Sequence, residues 1–74
     1  MRTATGRVDM AIETAARCYV LEFKLDRPAS EAIAQIRSKG YADVFAGKGK
    51  PVSLIGVSFS SEKRTIVESL VVSR

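Results

Sequence analysis

The chain has 74 residues, 46% of them hydrophobic and 27% charged, with 12 Lys and Arg against 8 Asp and Glu for a net charge of +4. These are the proportions of one small globular domain and exclude intrinsic disorder. One Cys and no His exclude a disulfide framework and a Cys/His zinc site, the usual staples of a small domain. A chain this short buries only about 60 to 65% of its unfolded surface, so association with a partner is expected. The basic residues are scattered rather than clustered; the charge is compatible with a polyanionic partner without demanding one. No apolar run approaches the roughly 18 residues needed to span a bilayer, and the N-terminus carries no signal-peptide core. The expected location is the cytoplasm, with no membrane partner.

The first element is Arg7-Val8-Asp9-Met10-Ala11-Ile12-Glu13-Thr14, in which Val8, Met10 and Ile12 alternate with Arg7, Asp9, Ala11 and Glu13. Strict alternation predicts a strand. The second, Cys18-Tyr19-Val20-Leu21-Glu22-Phe23-Lys24-Leu25, alternates likewise, with Tyr19, Leu21, Phe23 and Leu25 as its apolar face. A tight turn at Ala15-Ala16, or a four-residue turn over 14 to 17, joins them into a hairpin in which Asp9 faces Glu22. In that register Val8, Met10 and Ile12 share a face with Tyr19, Leu21 and Phe23, and this face is expected to be the core.

Asp26-Arg27-Pro28 breaks the strand, and Pro28 suits the start of a helix because its φ is preset and its missing donor is not needed there. A helix is predicted from Pro28 to Lys39, burying Ala29, Ala32, Ile33 and Ile36 against the sheet, with Glu31, Gln35 and Ser38 on an adjoining stripe. Gly40 reads as a terminator or as an interior interruption, and the pattern Tyr41, Ala42, Val44, Phe45 favours continuation to about Phe45. Gly47-Lys48-Gly49-Lys50-Pro51 lacks the spacing of a phosphate-binding loop and precedes a strand-like run, so it reads as a solvated turn. Val52-Ser53-Leu54-Ile55-Gly56-Val57-Ser58-Phe59 is a nearly continuous apolar strand, expected at the centre of the sheet. A turn at Ser60-Ser61-Glu62-Lys63 leads to the β-branched run from Thr65 to Val72, an edge strand.

The chemistry concentrates in the hairpin. Asp9 opposite Glu22 places like charges face to face, which destabilises a sheet unless a positive group sits between them. Carboxylate oxygens suit Mg²⁺ or Mn²⁺, and Lys24 lies two residues beyond Glu22 on the same face, able to stabilise developing negative charge. The plain alternative is a solvated sheet face on which Lys24 and Arg7 neutralise the acids. Gln35 has an equally plain reading as a solvent-facing helix residue, and Cys18 reads as a half-buried small residue rather than a nucleophile.

A strand with Asp, a strand with Glu-x-Lys, a helix with a polar Gln and then an apolar strand resemble the core of the PD-(D/E)XK nuclease superfamily. More narrowly, Gly6-Arg7-Val8-Asp9, Glu22-Phe23-Lys24-Leu25, Ala32-Ile33-Ala34-Gln35-Ile36, Lys39-Gly40-Tyr41-Ala42 and the run from Ile55 to Arg64 look like one branch, the C-terminal nuclease-like domain of bacterial AAA-ATPase-like proteins. The resemblance runs from about Thr5 to Val67. It implies a restriction-endonuclease-like α+β fold of order β-β-α-β-β, with a small mixed sheet under one main helix. It also implies a Mg²⁺ or Mn²⁺ held by Asp9, Glu22 and the backbone carbonyl of Phe23, with Lys24 assisting the attacking water and Gln35 beside the site. The implied activity is metal-assisted phosphodiester hydrolysis of nucleic acid, with DNA ranked ahead of RNA as the expected partner.

Two departures qualify this. Val8 stands where the motif nominally has Pro, and only Arg2-Thr3-Ala4-Thr5-Gly6 precede the Asp strand where the family core opens with a helix. The expectation is a single partial domain over residues 1 to 74, truncated at its N-terminus. The alternative function is an inactive, homodimerising module that retains the fold, and a homodimer is expected for the chain, because a symmetric partner would cover the exposed edge and face.

Overall fold

The computed structural model describes residues 10–74, and for residues 41, 44 and 45 the backbone alone. Its elements run β1 (Met10–Glu13), β2 (Cys18–Leu25), α1 (Ala29–Lys39), α2 (Tyr41–Ala46), β3 (Val52–Ser60) and β4 (Thr65–Ser73). The four strands form one mixed sheet in the order β1-β2-β3-β4. β1 and β2 are antiparallel, β2 and β3 parallel, and β3 and β4 antiparallel. A parallel pair cannot be closed by a hairpin, so α1 and α2 form the crossover between β2 and β3.

The hairpin register is the one expected over the described residues: Met10 pairs with Leu21, Ala11 with Val20, Ile12 with Tyr19 and Glu13 with Cys18. Thr14 shapes the turn. Its Oγ1 accepts the amides of Ala16 (3.3 Å) and Arg17 (3.0 Å) and donates to the Arg17 carbonyl (3.0 Å), the local side-chain bonding that favours Thr in turns. Lys50 and Lys48 reach Glu13 at 2.8 and 3.1 Å, fastening the end of β1 to the loop before β3.

α1 starts one residue later than expected, with Pro28 as its extended N-cap. Pro28 offers no capping side chain, and Glu68 of β4 substitutes, its Oε1 accepting the Ala29 amide at 2.9 Å. The expected continuation to Phe45 is not what forms. Gly40 adopts the left-handed conformation at φ 73°, its amide bonds to the Arg37 carbonyl at 3.2 Å, and a separate six-residue α2 begins at Tyr41. A left-handed glycine ends a helix because it carries no Cβ to clash there.

The core does not lie on the face that alternation suggested. The buried cluster is Cys18, Val20, Ile33, Ile36, Ala42, Val52 and Leu54, so α1 packs on the side of β2 that carries Cys18, Val20 and Glu22. On the opposite side Met10, Ile12 and Leu25 remain 46%, 43% and 63% exposed. Cys18, expected half-buried, is enclosed. The reason lies in β3. Gly56 shares the helix side with Leu54, and a Cβ built there would lie 2.5 Å from the Ala29 carbonyl oxygen and 3.1 Å from the Ala32 Cβ. The helix stripe Ala29, Ala32, Ile33 and Ile36 therefore settles where the sheet presents glycine and small side chains, not over Tyr19, Phe23 and Phe59. β3 is buried along most of both faces and β4 is mostly exposed, as expected for a central and an edge strand.

Two outcomes test this packing. Gly56→Ala should cost about 1–3 kcal/mol, since the added methyl overpacks against helix backbone; urea unfolding of the variant measures it, and an unchanged midpoint would contradict the close approach. Hydrogen bonds and charge from Lys50 and Lys48 hold the Glu13 carboxyl below its ordinary 4.5. Its small stabilising contribution is therefore complete above that value and is lost as pH falls through the lowered folded value. Thermal midpoints of Glu13→Gln and the unmutated chain should differ near neutrality and converge in acid.

Candidate functional site

β2 and α1 place the site. In register, Glu22 lies beside Gly56 of β3, and Lys24 beside Ser58; both acidic and basic side chains therefore point to the helix side. The glycine that lets α1 approach is thus the direct neighbour of Glu22. The result is a carboxylate in the core layer, with only 6% of its side chain exposed.

Three of the expected site residues come together there. Lys24 Nζ donates to Gln35 Oε1, so Gln35 is turned toward the sheet and not to solvent. Glu22 sits two residues before Lys24 on the same face. The fourth group was not singled out from the sequence: Lys39 Nζ lies 3.7 Å from Glu22 Oε2, with 15% of its side chain exposed. Lys39 stands one helical turn after Gln35, and residues four apart share a helix face. That spacing was the available signal. Its place in the last turn, with Arg37, also suits a cation near the carbonyl end of a helix dipole.

Phe23 has its side chain on the opposite face, its ring centroid 5.8 Å from that of Phe59; only its backbone belongs to the strand segment between Glu22 and Lys24. Asp9 lies outside the described residues.

Beyond the row of Lys24, Ser58 and Glu68 the strand ends are pinned. Asp26 at φ 58° accepts the Ser61 amide at 2.9 Å and its hydroxyl at 2.5 Å, bonds that hold its carboxyl below the ordinary range. Ser58 Oγ donates to the Arg27 carbonyl. Between these contacts an open groove of about 360 Å³ is lined by Arg27, Pro28, Phe59 and Lys63, among others. Lys63 belongs to the turn between β3 and β4, whose residue Arg64 adopts φ 57°.

A family model for the PD-(D/E)XK nuclease superfamily matches residues 1–69. The chain belongs to that superfamily. It is 40% identical over 73 residues to an uncharacterized protein encoded in the vnfD 5′ region of Azotobacter chroococcum mcd 1. The match covers 96% of this chain and 14% of that relative, so the chain spans about a seventh of the relative's length. No solved structure matches the chain.

Nucleases of this superfamily generally use divalent metals. The donor chemistry here fits one in part: Glu22 is a hard oxygen donor, screened from water, on the strand the family motif specifies. Among the described residues no group of three or more His, Cys, Asp and Glu comes together. No described helix is long and apolar enough to cross a membrane.

The Glu22–Lys39 pair should be energetically coupled, because both groups are largely withdrawn from solvent. A double-mutant cycle with Glu22→Gln and Lys39→Met, read by denaturant unfolding, should return an interaction of about 0.5–3 kcal/mol. Strict additivity of the two substitutions would contradict the pairing.

Proposed function

We propose that this chain is the catalytic core segment of a metal-dependent nuclease that hydrolyses phosphodiester bonds in nucleic acid, DNA in preference to RNA. The observation that carries the reading is the convergence of Glu22, Lys24 and Gln35 on the helix side of one sheet in a chain of this superfamily. Asp9 is the second acidic ligand in this reading, the residue that matches the Asp of the family motif. Glu22, Asp9 and the Phe23 carbonyl would hold Mg²⁺ or Mn²⁺. Such an ion lowers the pKa of a bound water and offsets the phosphate charge.

The chain's own groups then have distinct tasks. Lys24 presents an ammonium to the attacking water and to developing negative charge, and Gln35 orients that ammonium through its amide oxygen. A side chain held by one hydrogen bond loses less freedom on substrate binding than an untethered lysine. Arg27 and Lys63 line the groove past this row, where a phosphate backbone leaving the site would meet positive charge. The narrower assignment, to the branch at the C-terminus of AAA-ATPase-like proteins, is supported by the sequence runs around Gln35 and Tyr41. A relative far longer than the matched segment accords with it.

A second reading has its own observation. Met10, Ile12, Leu25, Ile66 and Val71 leave large apolar side chains exposed, all but Ile66 and Val71 on the first hairpin. Exposed apolar area of this kind marks an association surface, which favours an inactive module that homodimerises.

Cleavage of plasmid and single-stranded DNA with Mn²⁺ or Mg²⁺ separates the two. Activity lost by at least about 100-fold in Asp9→Ala and Glu22→Gln, and by a similar factor in Lys24→Met, is the expected result. Light scattering gives the second comparison: a folded chain that is dimeric and inactive with either metal would favour the interaction module, whereas an active monomer would remove it.

A further inference from the structure

We propose that Lys39 is a built-in counter-ion for Glu22 that competes with a divalent cation for this carboxylate, so the ion enters as the ammonium withdraws. The inference rests on the reading of Glu22 as a metal ligand given above. It concerns what occupies that carboxylate when no ion does.

The argument starts from the charges. Glu22 is 6% exposed and has Lys39 Nζ 3.7 Å from Oε2, while the other nearby ammonium, on Lys24, donates to Gln35. A carboxylate taken out of water needs a compensating cation, and removing one partner of such a pair is costly. Lys39 supplies that compensation from α1, a different element from the strand that carries Glu22. A hard divalent ion would bond a carboxylate oxygen at about 2.0–2.2 Å. An ammonium 3.7 Å from Oε2 would then face a doubly charged ion across a poorly solvated space, where like charges repel far more strongly than in bulk water.

Charge balance points the same way. Glu22, Lys24 and Lys39 together carry one negative and two positive charges. A divalent ion added to that set meets a repulsion that falls when Lys39 leaves. Lysine suits this exchange because its charge rides on a flexible four-carbon stem. Lys39 is also the last residue of α1, followed directly by the left-handed Gly40, and lies outside the buried stripe Ala29, Ala32, Ile33 and Ile36. The displaced ammonium is then available to the anionic phosphodiester that arrives with the metal.

The opposite role is that Lys39 positions Glu22 for the ion, and the two predict opposite signs. Mn²⁺ affinity of the full chain, measured by titration calorimetry at fixed salt, should be tightened about tenfold in Lys39→Met by removal of one repelling charge. Lys39→Arg, which keeps the charge, should not tighten it. Glu22→Gln should abolish the tight binding in either background. If Lys39→Met is too unstable for titration, Lys39→Gln provides the readout: its thermal midpoint should rise more on adding Mn²⁺ than that of the unmutated chain, because the metal replaces the missing cation. Equal or weaker Mn²⁺ binding in a folded Lys39→Met, or tightening in Lys39→Arg, would overturn the competition and leave the metal site standing. Absence of Mn²⁺ binding in every variant would overturn both.

Discussion

A Cβ at Gly56 would sit 2.5 Å from the carbonyl oxygen of Ala29, so the central strand and the main helix are as close as backbones allow only because that position is glycine. This contact determines which side of the sheet becomes the core. It also determines what lies over Glu22, the register neighbour of Gly56 on β2. With the start of α1 seated on β3 and capped by Glu68 from β4, the later turns extend over β2. Gln35 then meets Lys24, and Lys39 meets Glu22. One missing side chain on β3 thus converts a strand carboxylate that could have faced water into one enclosed by a helix.

Enclosure changes what the charges cost. Several ion pairs among the described residues are peripheral: Arg27 with Glu31, Arg74 with Asp43, and Lys48 and Lys50 with Glu13 all involve substantially exposed groups. Such pairs contribute little to stability. Glu22 and Lys39 differ because both are largely withdrawn from solvent, where desolvation can exceed the attraction regained. An apolar pair would satisfy the core better, and ionisable groups retained in such places are characteristic of functional sites. The chain belongs to the PD-(D/E)XK nuclease superfamily, and the proposed function takes Glu22 and Lys24 as the acidic and basic residues of its Glu-x-Lys motif.

Much of this architecture was legible in the sequence. The bounds of β2, the hairpin register, the central β3 and the edge β4 followed from alternation, from apolar continuity and from turn residues such as Thr14. The core face did not. β2 carries apolar residues on both sides, Cys18 and Val20 on one and Tyr19, Leu21 and Phe23 on the other, so alternation identified two faces without ranking them. The ranking came from Gly56 on a strand that β2 meets only after the crossover. The break at Gly40 was similarly masked, because an apolar pattern resumes in α2 and its left-handed φ of 73° leaves no trace in hydropathy. Lys24 and Gln35 were singled out through the family resemblance, and the structure brings them into contact, whereas Lys39 becomes significant only once Glu22 is known to be buried beneath its helix.

The central claim is that the cation-binding centre of this chain is the enclosed Glu22, not one of its exposed carboxylates. Mn²⁺-induced line broadening in a ¹H–¹⁵N correlation spectrum tests this residue by residue, since the paramagnetic ion attenuates the amides nearest to it. The account predicts that substoichiometric Mn²⁺ first erases the amides of Leu21 to Lys24, followed by those of α1 facing them around Gln35 and Lys39, and that Glu22→Gln removes the effect. First attenuation around Glu13, Asp26 or Asp43, with the β2 amides unaffected, would contradict it.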